Sequence, residues 1–194
     1  MAKRYIEFEN KKYQSLTLRI SPQTSFQCIL ARINKIKFVG SDHPSEHIIY
    51  SILELLNNSL RAHRDRRVEK PILLEINTCP NGFEIQIQDW GSGFDIRSLP
   101  YSLNSDPDEI DIHDTKFEKY RQIHNYQRFG LGLYLARKTF PYFELNFFDM
   151  DQNETQWTDG GVAGTRIRLR TSAAESKYAD FSTTEVLYEK QENI

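Results

Sequence analysis

The chain has 194 residues, 39% of them apolar and 27% charged, with a formal net charge of −2. That balance excludes disorder as a whole-chain description, leaves no basic footprint for nucleic acid, and suits one domain with a full core. Cys28 and Cys79 stand far apart in no metal-ligand spacing, and no apolar run suits a signal peptide or a bilayer span, so a reduced, cytoplasmic protein without membrane insertion is expected.

In chain order, KKYQSLTLRI (11–20) ends in alternation at Leu16, Leu18 and Ile20 and predicts a strand. SPQTSFQCILARINKIKFVG (21–40) predicts a helix, with Ser21 or Thr24 as cap, Pro22 in the first turn and Gly40 beyond the end. A second helix is expected from about SDHPSEHIIY to Arg67. PILLEINTC (71–79) and FEIQIQD (83–89) read as strands joined by the hairpin signal Pro80-Asn81-Gly82. Residues 91–128 show no convincing period and many charges. GLGLYLARKTF (130–140) reads as a helix entered through glycines, FELNFFDM (143–150) as a strand, and TRIRLR (165–170) as a last alternating strand. Residues 171–194 read as a polar, mildly acidic tail after a domain spanning 1–170. The order of elements predicts an α+β sandwich, with helices on one face of a mixed, mostly antiparallel sheet.

The second helix carries an unusual pair, Asn57 and Asn58, one turn after Glu54. At about 100° per residue, Ile49, Ile52, Leu53, Leu56 and Leu60 form an apolar stripe, while Glu54, Asn58, Arg61 and Asp65 gather on the other side. Periodicity alone reads that side as a solvated face of i,i+4 pairs. A carboxylate one turn from an amide is also a means of holding Mg²⁺, or of placing a base beside it. DWGSGF (89–94) sets an aspartate at a strand end before two glycines, either a plain turn or an acceptor for an exocyclic amine such as that of adenine. RFGLGLYLARK (128–138) places Gly130 and Gly132 at a helix mouth, where free N–H groups suit phosphate or where close packing alone needs glycine. Gly164-Thr165 taken singly reads as the turn of an edge hairpin.

In this order the four segments resemble the nucleotide-binding boxes of the GHKL ATPase superfamily, which includes histidine kinase catalytic domains, anti-sigma-factor serine kinases and the gyrase ATPase domain. ELLNNSLRAH matches the N box, DWGSGF the G1 box, RFGLGL the G2 box and Gly164-Thr165 the last box. The resemblance covers about residues 12–170 and implies the two-layer α/β sandwich of the Bergerat fold, with a flexible ATP lid at 95–128. It implies ATP and Mg²⁺ as ligands, Asn58 as the Mg²⁺ residue and Glu54 as the catalytic base. By the same resemblance Asp89 contacts the adenine amine, with Gly91 and Gly93 giving the base room and Thr165 beside Asp89. Gly130 and Gly132, with their neighbours Leu131 and Leu133, would present the phosphate-binding helix start, and Arg61 would reach a phosphate. Lys116, Lys119, Arg121 and Arg128, in the basic second half of the lid, stand where γ-phosphate contacts help, with plain solvated lid charges as the alternative.

Departures refine the resemblance. Trp90 replaces the Asn common in histidine kinases, and Arg128 stands where the first G2 glycine would be, as in anti-sigma kinases. His43 and His47 sit in no His-Glu-x-Arg-x-Pro pattern, so no phosphoacceptor helix pair is recognised. The expected activity is therefore ATP-dependent phosphorylation of a partner protein on serine or threonine in a partner-switching pathway. The partner would be a sigma factor, an anti-sigma antagonist or a response regulator, and a homodimer is compatible. The alternatives are a detached histidine-kinase-type catalytic domain and a nucleotide-gated binding module without turnover.

Overall fold

A computed structural model describes residues 4–125, 130–157 and 161–172. Two sheets form. The smaller has the order β2-β1-β4, from β1 (Tyr5–Phe8), β2 (Lys11–Tyr13) and β4 (Lys37–Val39). The larger joins β3 (Ser15–Ile20), β5 (Ile72–Cys79), β6 (Gly82–Asp89), β7 (Tyr142–Phe148), β8 (Glu154–Thr155) and β9 (Gly164–Arg170) in the order β3-β5-β6-β9-β7-β8. Every registered pair in both sheets is antiparallel.

The helices are α1 (Phe26–Ile33), α2 (Ser45–Arg66), α3 (Thr115–Ile123) and α4 (Gly132–Thr139). The α2 stripe is buried as the periodicity requires, with Ile52, Leu56 and Leu60 wholly inside. It meets the alternate residues of the sheet, among them Leu74, Ile76, Ile85 and Leu169. The other face of the sheet carries a polar ladder: Arg166 donates to Gln88, Arg168 to Gln86 and Glu144, and Arg170 to Glu84. The architecture is the two-layer sandwich that the sequence predicts.

Several boundaries differ from the sequence reading. The strand expected at 11–20 breaks at Gln14, and its halves belong to different sheets. The helix expected over 21–40 is shorter. Residues 21–24 close a turn through Thr24 N–H to the Ser21 carbonyl, and Ser25 caps α1 by accepting from Cys28 N–H. The chain then leaves the helix, and the alternation of Ile36, Phe38 and their neighbours makes β4 instead. Gly164-Thr165 is not the turn of an edge hairpin, because β9 lies between β6 and β7 inside the sheet. β1 and β8 went unanticipated; each is four residues or fewer, too short for a period to declare itself.

Residues 95–125 hold two short 3₁₀ turns, Ile96–Ser98 and Pro107–Glu109, and then α3. α3 starts at Asp114, whose carboxylate accepts from Lys116 N–H, and anchors by the buried Phe117 stacked on Tyr101 at 5.7 Å. Arg137 and Lys138 of α4 tie down the same segment through the Ser105 carbonyl and Asp108. Cys28 and Cys79 are free thiols. Among the described residues, no helix is long and apolar enough to cross a membrane. The tail expected at 171–194 lies outside the described residues from 173 onward.

Candidate functional site

Strand alternation builds one half of the site. Residues 85, 87 and 89 share a face of β6, so Asp89 ends the strand on the side that the helices cover. Its cross-strand partner is Thr165 of β9, on the same face. Asp89 is 6% exposed, and a carboxylate taken so far from water must be met by donors. Oδ1 accepts from Gly91 N–H at 2.8 Å, while Oδ2 accepts from the Ser59 hydroxyl at 2.9 Å and from the Thr165 hydroxyl. These three donors fix the carboxylate plane and leave lone pairs toward the cavity that Asp89 lines.

Helical spacing builds the other half. Glu54 and Asn58 lie one turn apart on α2, facing the start of α4. A Cβ on Gly132 would stand 2.8 Å from the Asn58 side-chain amide and 3.6 Å from Glu54 Oε2. Glycine at 132 therefore lets the first turn of α4 approach the Asn58 amide, which a Cβ would displace, with Glu54 at ordinary contact distance. No side chain caps α4, which leaves its opening N–H groups available to an anion. Gly91 answers the same need at the other end, since a Cβ there would meet Ala62 Cβ at 2.4 Å.

Both halves open into a single cavity of about 930 Å³. Glu54, Asn57, Asn58 and Arg61 line it from α2, and Asp89, Gly91 and Gly93 from the end of β6 and the turn after it. Gly130, Leu131, Gly132 and Leu133 line it at the start of α4, and Thr165 from β9. Arg128 lies outside the described residues. Lys116, Lys119 and Arg121 do not line the cavity; α3 presents Tyr120 to it instead. The three-residue spacing from Phe117 brings Tyr120 inward with it, whereas Lys116 and Lys119 are exposed.

Sequence reasoning missed two residues of α2. Ser59 holds Asp89, and His63, fully buried, accepts Trp90 N–H at Nε2 over 2.8 Å. Both fall on the buried stripe with Leu56 and Leu60, at i, i+3, i+4 and i+7, and polar residues on such a stripe are the signal that could have revealed them.

An imidazole that accepts at Nε2 is neutral there. Burial holds His63 below its ordinary value, and the nearby charge of Asp89 opposes this in part. In the unfolded chain the ring takes up its proton near pH 6.5, before the folded ring does. Stability from this group is complete above that pH and declines as pH falls below it toward the folded value. The melting temperature should fall between pH 7.5 and 5.5, and His63→Gln should remove much of that dependence. A calorimetric pH series that is unchanged in the variant would separate His63 from the effect.

The model of the family described as the histidine kinase-like ATPase domain matches residues 39–147, from β4 through α2, β5, β6 and α4 into β7. No curated protein and no solved structure matches the chain. With the matched span holding Glu54, Asn58, Asp89 and the glycines of the α4 mouth around one cavity, the chain belongs to the histidine kinase-like ATPase domain family and is an ATP-binding domain of the GHKL type.

Proposed function

We propose that this domain binds ATP with Mg²⁺ and transfers the γ-phosphoryl group to a serine or threonine of a partner protein, as a kinase of the partner-switching kind. The observation that carries the reading is the meeting of Glu54 and Asn58 at the uncapped start of α4, in the same cavity as the triply held Asp89. Asp89 accepts from the adenine amine. The backbone N–H groups around Gly130 and Gly132 take the phosphates, and Arg61 adds a cation from α2.

The residues fit Mg²⁺, a hard cation that takes few protein oxygens and completes its shell with phosphate and water. Asn58 would supply the protein oxygen, its amide standing against Gly132 where phosphates enter. When bound, the ion neutralises charge on the phosphate oxygens. The chain's own residues do the rest. Glu54 accepts the proton of the attacking hydroxyl as its oxygen bonds to the γ-phosphorus, while the bond to the bridging oxygen breaks and ADP leaves. The segment 95–125 serves as the lid, with Tyr101 and Tyr120 turned to the cavity to exclude water.

Two measurements test this. Titration with ATP, with and without Mg²⁺, should show a magnesium dependence in the wild type that Asn58→Ala loses; a variant that keeps it would take Asn58 out of the metal site. Incubation with γ-labelled ATP and protein from the native cells should give label that survives acid, as phosphoserine and phosphothreonine do. Acid-labile label would assign the acceptor as histidine.

A further inference from the structure

Trp157 is the largest side chain in the cavity wall that the four nucleotide boxes do not account for, and it lies beyond the matched span 39–147. Strand register locates it. Thr155 of β8 pairs with Phe147, Phe147 with Thr165, and Thr165 with Asp89, so one row of residues crosses the sheet at the end of the cavity that holds Asp89. Trp157 follows that row by two residues, about 7 Å of extended chain. Phe94, which packs edge-on to Phe147 at 5.8 Å, and Val162 line the same end. Around Asp89 and Thr165 that end gathers apolar and aromatic side chains.

The indole does not stand alone. The guanidinium of Arg97 lies over its ring, 5.9 Å from the centroid. Asp95 in turn fixes that guanidinium by a two-point grip, with Nε to Oδ1 and Nη2 to Oδ2 both at 2.9 Å. An Asp–Arg–Trp stack thus reaches from the turn after β6 to the loop after β8, bridging the two elements beside the base end of the cavity. A flat aromatic surface lining one cavity with the buried acceptor Asp89 suits a flat heterocycle that carries an amine.

We propose that Trp157 is a specificity-determining residue on which the nucleotide base stacks, with Arg97 as the positioning residue that holds the indole in place. This rests on the cavity taking ATP, and the test keeps the two apart. Calorimetric titration of wild type, Trp157→Leu and Trp157→Phe would use ATP and, as a base-free probe, tripolyphosphate. ATP affinity should fall about 10-fold in Trp157→Leu and recover to within about 3-fold of wild type in Trp157→Phe, with tripolyphosphate binding alike in all three. Arg97→Ala should weaken ATP binding in the same selective way, by a smaller factor. Undiminished ATP binding by Trp157→Leu, or equal weakening of ATP and tripolyphosphate, would overturn the assignment. Absence of ATP binding by the wild type would remove the nucleotide reading itself, and this one with it.

Discussion

Asp89→Asn should lower the affinity for ATP by about 100-fold while leaving the fold in place. The carboxylate accepts from Gly91 N–H on one oxygen and from two hydroxyls on the other. An amide has one oxygen and one NH₂ group, so it cannot accept on both sides. The least costly orientation keeps the oxygen on Gly91 N–H, because the backbone donor cannot turn, whereas the hydroxyls of Ser59 and Thr165 can rotate to accept from the NH₂. Stability should therefore drop by only about 1 kcal/mol, a shift of roughly 2–4 °C in melting temperature for a domain of this size. The base loses its charged acceptor and finds the pocket's dipoles reversed. Calorimetry beside a thermal melt separates the two effects, and an affinity within a few-fold of wild type would remove Asp89 from base recognition.

Glu54→Gln should bind ATP much as the wild type does and yet transfer phosphate about 10²–10⁴-fold more slowly, the usual worth of a positioned general base. Glutamine keeps the shape of the side chain that faces Gly132 across the cavity, so the approach of α4 is retained. What it cannot do is take the proton from the acceptor hydroxyl. Single-turnover measurement with saturating Mg·ATP isolates that step. Transfer at the wild-type rate would leave Glu54 a wall of the cavity and nothing more.

The parts of the structure legible from sequence are those where a period runs long. The apolar stripe of α2 extends over many turns, and with it come the positions of Glu54, Asn58 and Arg61. The alternation in β6 likewise fixes Asp89, and that in β9 fixes Thr165. Short elements were opaque for the converse reason. β4 merges with the preceding helix in sequence because Ile29, Ile33 and Ile36 continue a helical spacing, while the extended alternation of Ile36 and Phe38 is too short to stand out. The expectation that Lys116 and Lys119 reach the phosphates rests on their charge and their place in the chain just before the α4 glycines. Which face α3 turns inward is decided by Phe117 against Tyr101, a contact that no local pattern announces. Trp157 is opaque in sequence because its place depends on register across four strands.

α2 bears Glu54 and Asn58 and, one and five residues further on, Ser59 and His63, which grip Asp89 and the Trp90 backbone. From Glu54 to His63 the helix rises about 13 Å. In the proposed reading, this single unbroken rod sets the span between the purine end and the reacting phosphate, so that a change in the length of the helix would be felt at both ends of the nucleotide at once.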